Sequence, residues 1–195
     1  RMKYQRYDFL SEGDSPSFFY LMDTGLRSLE DPAFGSYGGR YYLDTSMKNS
    51  KGQQLNWYKT VQDYDPLQDK MVNSDWRWIV DLQNQFATRA DWCITPSFED
   101  ANHAPSLEIK EGLDFTAKPS ETLKLHALTS DPDGDYVSVK WSQYFEADTY
   151  EEPETNKGIY IKGANSDVAT ITVPEDAKDG DNLIILVQAT DNGTH

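Results

Sequence analysis

Two carboxylates near the start of the chain have the residue types and spacing of either an active-site edge or a helix N-terminus. In the segment LSEGDSPSFFY, Glu12 and Asp14 flank a glycine and are followed by Pro16 and an aromatic run. Pro16 suits the first turn of a helix, Asp14 can cap that turn, and Glu12 favours the helix dipole. The same two carboxylates could instead face a ligand, and both alternatives stay open at this point.

Arg40 is a second candidate ligand-binding residue, because it follows the glycine pair in GSYGGRY. A double glycine lets the backbone turn sharply, and it could hold the arginine toward a cleft. There Arg40 would hydrogen-bond sugar hydroxyls or a carboxylate such as Asp14. A structural salt bridge within the fold is the alternative, and one arginine can do both.

Aromatic side chains are frequent, and aromatic planes suit the C–H faces of sugar rings. The candidates are Tyr37, Tyr41, Trp57 and Trp76. An aromatic residue on a helix is more often part of a core, which is the expectation for Trp76. Trp57 lies in a segment that we predict to be a polar loop, so it is the preferred sugar-binding residue.

The segment DPDGD, residues 131–135, resembles a calcium-binding loop. It lacks the glutamate that an EF-hand loop requires, since Ser142 occupies that position, and a tight turn between two strands explains the same residues. Asp191 in ATDNG could approach this turn across the end of a β-domain. The hypothesis is that Asp131, Asp133 and Asp191 bind Ca²⁺ there.

Charge and hydropathy narrow the classes of partner. The 195 residues include 33 acidic and 18 basic residues, for a formal net charge of −15. This charge repels phosphate backbones and anionic membranes, so we expect no nucleic acid partner, whereas neutral sugars and calcium suit it better. No apolar run approaches the length of a membrane span, and the opening residues lack the apolar segment of a signal peptide.

Helix-like periodicity dominates residues 1–101. Apolar residues at three-and-four spacing predict helices over Asp14–Leu29 and Asn73–Ile94, with polar loop at Asn49–Asp69. Cys93, the single cysteine, lies among apolar residues in ADWCI, which predicts a buried and inert thiol. The prolines and polar residues of TPSFEDANHAP then place a domain boundary near Asn102.

Alternation with a period of two replaces the helical period after this boundary. In YVSVKWSQY, Val137, Val139 and Trp141 alternate with polar residues, as on a strand with one buried face. Short strands are predicted at residues 107–109, 122–128, 136–144, 159–162, 168–173 and 182–190. They predict an immunoglobulin-like β-sandwich over residues 102–195, and we expect one more strand beyond His195 to close its second sheet.

Several motifs in order resemble one family. The segments SEGDSPSFFYLMDTGL, DPAFGSYGGRY, WRWIVDLQNQFATRADWC, DPDGDYVSVKWSQYFEA and ATITVPEDAKDGD are similar to the later part of bacterial cellulose-binding, nucleoside hydrolase-like proteins. The resemblance covers almost the whole chain. It implies the C-terminal part of an α/β hydrolase-like domain over residues 1–101, followed by the immunoglobulin-like domain.

The resemblance also implies a site. Nucleoside hydrolases cleave an N-glycosidic bond with a metal-bound water, and carboxylates grip the ion and the sugar hydroxyls. By resemblance Asp14 would face this pocket and could bind Ca²⁺, with Glu12 beside it. The family's early aspartate cluster has no counterpart in these residues, so we expect a missing N-terminal half as partner, in cis or as a nicked chain.

Two functions follow from the resemblance. In the first, the protein belongs to carbohydrate metabolism, is secreted or periplasmic, and acts on N-glycosyl or related glycosidic bonds. In the second, it binds glycans without catalysis. Nucleoside hydrolases bring a His–Asp pair to this region, where the chain has Glu12, Gly13 and Asp14. This departure keeps the second function open.

Overall fold

The computed structural model describes residues 18–65, 69–150 and 158–193. Contacts group the chain into two compact units, Arg1–Ala87 and Thr88–His195. The described part is mostly β-sheet, and no helix in it is long and apolar enough to cross a membrane. Glu12 and Asp14 lie outside the described residues, so their predicted roles stay predictions.

The first unit contains two antiparallel hairpins. These are β1 (Tyr41–Asp44) with β2 (Trp57–Thr60), and β3 (Gln62–Asp65) with β4 (Lys70–Asn73). The prediction of polar loop over Asn49–Asp69 was therefore wrong at β2 and β3. The strands of the first hairpin carry exposed apolar side chains beside a buried aspartate, so they lack the buried apolar face that reveals a strand in a sequence.

The helix predicted over Asp14–Leu29 does not continue through its second half. Phe18 and Phe19 are helical, and the residues from Tyr20 onward form turns. The Tyr20 hydroxyl donates to the Ser28 carbonyl at 2.5 Å, and the Ser28 hydroxyl donates back to the Tyr20 carbonyl at 3.0 Å. These two bonds close the segment into a loop, which the apolar spacing alone does not indicate.

The helix predicted over Asn73–Ile94 is confirmed as α1 (Ile79–Trp92), preceded by a 3₁₀ turn at Ser74–Trp76. Ile79 and Leu82 are its buried residues. The expectation of a buried thiol was wrong, because Cys93 is exposed. It follows the last residue of the helix, and its thiol donates to the Arg89 carbonyl at 3.4 Å.

The second unit has all the strands that the alternation predicted. They are β5 (Ser106–Ile109), β6 (Thr122–Ser130), β7 (Ser138–Gln143), β8 (Ile161–Lys162), β9 (Val168–Thr172) and β10 (Ile185–Thr190). One sheet has the order β5-β6-β9-β8, and β7 pairs with β10 in a second. Side chains from both sheets form one core, in which Trp141 is 3% exposed and Ala169 is fully buried.

Candidate functional site

A buried loop supports the start of the first hairpin. Residues 35–40, GSYGGR, are buried throughout. The Ser36 hydroxyl donates to the Gly39 carbonyl at 3.1 Å and accepts from the Gly38 amide at 2.9 Å. Tyr37 lies inside, where its hydroxyl accepts from Gln85, and burial raises its pKa above the ordinary value. The buried Tyr37 therefore supports the loop from inside, through its contact with Gln85 on α1.

Gly39 is required at its position by a close approach. Its φ is +96°, and a Cβ there would lie 2.9 Å from Ser74 Oγ and 3.1 Å from the Asp75 amide nitrogen. Ser74 Oγ in turn accepts from the Arg40 amide at 2.8 Å. The glycine pair thus sets the backbone of Arg40 against the 3₁₀ turn at Ser74–Trp76.

The Arg40 side chain points to a partner within the fold. Its Nε and Nη2 each donate to Asp63 Oδ1 at 2.9 Å, and both side chains are buried. Of the two sequence alternatives, this geometry is that of the structural salt bridge. A contact between Arg40 and a ligand stays a prediction.

The register of the first hairpin sorts its side chains onto two faces. Tyr41 pairs with Thr60, Tyr42 with Lys59, Leu43 with Tyr58, and Asp44 with Trp57. Since side chains alternate along a strand, one face holds Tyr42, Asp44, Trp57 and Lys59, and is called the Trp57 face. The other holds Tyr41, Leu43, Tyr58 and Thr60, and is called the Leu43 face.

The Trp57 face combines exposed aromatic rings with an ion pair. Trp57 and Tyr42 are 55% and 46% exposed, and they are diagonal neighbours across the ladder. Such positions are about 7–8 Å apart, which two large side chains can bridge. Lys59 forms an ion pair with Asp44. Hydrogen bonds from Lys59 and from Ser46 to the Asp44 carboxylate lower the pKa of Asp44 to about 2, so this carboxylate stays ionised near neutral pH.

This arrangement can bind a sugar chain. The planes of Trp57 and Tyr42 can cover the C–H faces of sugar rings. The partly exposed Lys59, which is paired with the buried Asp44, offers donors for hydroxyl groups. Trp57 was predicted as a sugar-binding residue, and the structure places it on a strand and in solvent. Sequence reasoning missed Tyr42, Asp44 and Lys59, which only the strand pairing brings together.

The second unit contains a group of three carboxylates in the turn between β6 and β7. One carboxylate oxygen from each of Asp131, Asp133 and Asp135 lies within 4.8 Å of the others. Asp131 Oδ1 accepts from the Asp133 and Asp135 amides at 2.9 and 3.1 Å. Its Oδ2 is enclosed and has no hydrogen-bond partner in the described structure. An enclosed, unpaired carboxylate oxygen beside two others suits a hard cation, so these residues could hold Ca²⁺.

The segment that contains Asp191 approaches this turn, as the sequence suggested, but other residues make the contacts. Asn192 Oδ1 accepts from the Tyr136 amide at 2.7 Å, and a Cβ on Gly193 would lie 2.8 Å from Asp135 Oδ2. Asp191 is not in the group of three, and its Oδ1 accepts from the Gly193 amide at 3.1 Å. Asp135, which the sequence analysis treated only as part of the turn, is the third member of the group. Calcium binding by Asp191 stays a prediction.

His103 ties the acidic turn to the segment before β5. Its Nδ1 lies 3.0 Å from Asp133 Oδ1, and its amide donates to Asp133 Oδ2 at 2.6 Å. The His103 ring stacks on Phe98 and Trp92, with centroid distances of 3.7 and 5.2 Å. The hydrogen bond from His103 lowers the pKa of Asp133 below its ordinary value.

Two sequence profiles from one family match the chain. The nucleoside hydrolase-like domain of cellulose-binding Sde182 matches residues 1–41. The C-terminal domain of cellulose-binding protein Sde0182 matches residues 122–195. These matches confirm the resemblance drawn from the motifs, and they do so in both parts of the chain. A search of curated proteins gave no match.

A solved structure agrees with the profiles. It is a nucleoside hydrolase-related hypothetical protein from Saccharophagus degradans that is described as associated with carbohydrate metabolism. The TM-score is 0.75 and the sequences are 27% identical, over 95% of this chain and 45% of that chain. The chain therefore spans less than half the length of this relative. It is similar to cellulose-binding, nucleoside hydrolase-like proteins linked to carbohydrate metabolism.

Proposed function

We propose that this chain is part of a carbohydrate-binding protein, and that the Trp57 face of its first hairpin binds a neutral glycan of the cellulose class. The observation that carries the proposal is the placement of Trp57 and Tyr42, both about half exposed, on the same face of one hairpin. The family descriptions, which name cellulose-binding proteins, support the choice of ligand.

The chemistry of the face favours a neutral sugar chain. Glucose rings present apolar C–H faces that aromatic planes can cover, and their equatorial hydroxyl groups can reach the partly exposed Lys59 at the side. The net charge of −15 would repel an anionic polysaccharide at low salt but has no such effect on cellulose. The hairpin needs no movement to bind in this way, since both rings are already in solvent.

Retention on amorphous cellulose tests the proposal, with a matched pair of variants. Trp57→Ala removes a ring from the binding face and is expected to weaken retention about tenfold, which corresponds to about 1.4 kcal/mol. Tyr58→Ala is the control, because Tyr58 is 53% exposed on the same strand but lies on the opposite face. The proposal is wrong if the wild-type chain is not retained, or if both variants lose retention equally.

We also propose an N-glycosyl hydrolase-like activity for the longer protein of which this chain can be a part. The match of a nucleoside hydrolase-like domain to residues 1–41, which include Glu12 and Asp14, supports it. A non-catalytic glycan-binding role for the same fold is the alternative. Release of base or aglycone from N-glycosides, with and without calcium, distinguishes the two: calcium-dependent release supports catalysis, and none supports binding alone.

Three further assignments are proposals of the same kind. The two sheets of the second unit form an immunoglobulin-like sandwich, supported by their shared core around Trp141. The acidic turn binds Ca²⁺ through Asp131, Asp133 and Asp135, supported by the enclosed Asp131 Oδ2. The protein works in a secreted or periplasmic location, where a polysaccharide ligand is accessible.

A further inference from the structure

The only Asn-Gly pair in the sequence, Asn192–Gly193, lies shortly after β10. An asparagine in such a pair can lose its side-chain amide, because the next backbone nitrogen can attack the side-chain carbonyl carbon and a glycine adds no side chain to hinder it. The two atoms close a five-membered ring within one chain, so they are already in proximity. Asn192 is exposed, so water can reach the product.

Two hydrogen bonds place the groups that this reaction needs. The Gly193 amide, which holds the attacking nitrogen, donates to Asp191 Oδ1 at 3.1 Å. A carboxylate in that place can accept the proton that the nitrogen loses as it attacks. On the other side, Asn192 Oδ1 accepts from the Tyr136 amide at 2.7 Å. This donor stabilises the negative charge that develops on Oδ1 when the carbonyl carbon becomes tetrahedral.

Asn165 offers a comparison within the same unit. It is exposed like Asn192, but the residue after it is Ser166, whose amide donates to the Gly163 carbonyl at 3.0 Å. A peptide carbonyl is a far weaker base than a carboxylate, so it does not assist removal of the amide proton. Exposure alone therefore does not reproduce the arrangement around Asn192.

We propose that Asn192 is a self-modifying site, at which Asp191 and the Tyr136 amide promote deamidation. The Gly193 nitrogen bonds to Asn192 Cγ and gives its proton to the Asp191 carboxylate. The bond between Cγ and the side-chain nitrogen then breaks, that nitrogen keeps the electron pair and takes the proton from Asp191, and ammonia leaves. Water opens the resulting succinimide at either carbonyl, which gives aspartate or isoaspartate, and no oxidant or reductant is consumed.

Either product changes how this segment contacts the acidic turn. Aspartate adds a negative charge beside the three carboxylates of the turn. Isoaspartate lengthens the main chain by one methylene group, and the surroundings of Gly193 are too close for it. A Cβ there would already lie 2.6 Å from Asn102 Cγ and 2.8 Å from Asp135 Oδ2. The reaction is therefore expected to release the segment from the turn, in one direction, since the ammonia is lost.

The rate of deamidation in the full 195-residue chain tests the proposal, followed by peptide mass spectrometry in a buffer with EDTA. The comparison is the free peptide ATDNGTH, residues 189–195, which has the same covalent neighbours but lacks the Tyr136 amide. Asn192 in the folded chain should react at least about tenfold faster than in the peptide. Asp191→Asn keeps an acceptor oxygen but cannot take the proton, so it should slow the folded chain about tenfold or more. Asn165 should stay unmodified over the same period.

Circular dichroism melting checks that Asp191→Asn is folded. Should this variant unfold, the comparison of the wild-type chain with the peptide still decides, because it needs no substitution. The proposal is overturned if Asn192 reacts no faster in the folded chain than in the peptide, since the fold then protects the pair. It is also overturned if Asp191→Asn reacts as fast as the wild type, or if Asn165 reacts as fast as Asn192. Release of the segment is wrong if the reacted chain melts at the same temperature as the fresh chain.

Discussion

Arg40 holds one carboxylate oxygen of Asp63 with two N–H groups, Nε and Nη2, each 2.9 Å from Oδ1. Both side chains are buried, so the pair has little competition from water. Arg40 directly precedes β1 and Asp63 lies on β3, so the ion pair connects the two hairpins of the first unit. A buried charge whose partner is removed is costly, because it is then neither hydrated nor paired.

Arg40→Ala is therefore expected to lower the free energy of unfolding by about 3–5 kcal/mol. Urea denaturation followed by circular dichroism measures the loss. The double variant Arg40→Met with Asp63→Leu removes both charges, and it should be more stable than the summed losses of the single variants Arg40→Met and Asp63→Leu predict. A loss below about 1 kcal/mol for Arg40→Ala would mean that the pair is not a major support of the fold.

The stability of the chain is expected to fall in acid, because three carboxylates among the described residues, Asp44, Glu111 and Asp133, have lowered native pKa values. Hydrogen bonds from Lys59 and Ser46 lower the pKa of Asp44 to about 2, and a hydrogen bond from His103 lowers that of Asp133. A carboxyl group with a lowered native pKa stabilises the fold above its unfolded pKa of about 4, and this contribution is lost as the pH falls through the native value.

Melting temperatures between pH 6 and pH 2 test this pH dependence. The wild-type chain should show a steady value above about pH 5 and a decrease below about pH 4. Asp133→Asn cannot ionise at this position, so its melting temperature should be lower near pH 6 and should depend less on acid. An unchanged acid profile in both Asp133→Asn and Asp44→Asn would show that other carboxylates cause the decrease.

The sequence predicts elements whose signal is local and misses those that depend on pairing. The alternation of Val137, Val139 and Trp141 predicts β7, and the structure confirms that Val139 and Trp141 on this strand enter the core. The strands around Trp57 have large apolar side chains on both faces, so no alternation marks them. The ion pair of Arg40 spans 23 positions in the chain, and no local pattern indicates such a partner.

The candidate sites show the same limit. Trp57 could be selected from its residue type and polar surroundings, but Tyr42 joins it only through the register of two strands. Asp131 and Asp133 could be selected from their spacing in DPDGD. The membership of Asp135 in this group, and the contacts that Asn192 and Gly193 make with the turn, depend on three-dimensional packing that a sequence pattern does not specify.

Trp141 is expected to be the most sensitive core position of the second unit. It is 3% exposed, and its Nε1 donates to the Ser166 carbonyl at 2.9 Å. Trp141→Ala should cost about 3–5 kcal/mol in the free energy of unfolding, because it leaves a cavity and an unpaired carbonyl. Tyr160→Ala is the matched control, since Tyr160 is 82% exposed, and it should change stability by about 0.5 kcal/mol or less. Similar losses in both variants would contradict the assignment of Trp141 to the core.

Calcium is expected to raise the melting temperature of the chain, because the cation would pair the enclosed Asp131 Oδ2 and relieve the repulsion among three carboxylates. A ligand that binds only the folded state at about one hundred times its dissociation constant adds about 2.7 kcal/mol of stability. Differential scanning calorimetry in EDTA and in millimolar calcium, with magnesium as the comparison cation, measures the effect.

Matched variants decide which residues bind the ion. Asp131→Asn and Asp135→Asn should each abolish most of the calcium-dependent increase, since each removes a charged oxygen ligand. Asp191→Asn should keep it, because the Asp191 carboxylate accepts from the Gly193 amide and lies outside the group of three. Loss of the increase in Asp131→Asn and Asp191→Asn, with Asp135→Asn unaffected, would restore the ligand set that the sequence suggested. If calcium has no effect on the wild-type chain, the calcium-site proposal is wrong. The acidic turn is then a structural turn, held by the hydrogen bonds from the Asp133 and Asp135 amides to Asp131 Oδ1.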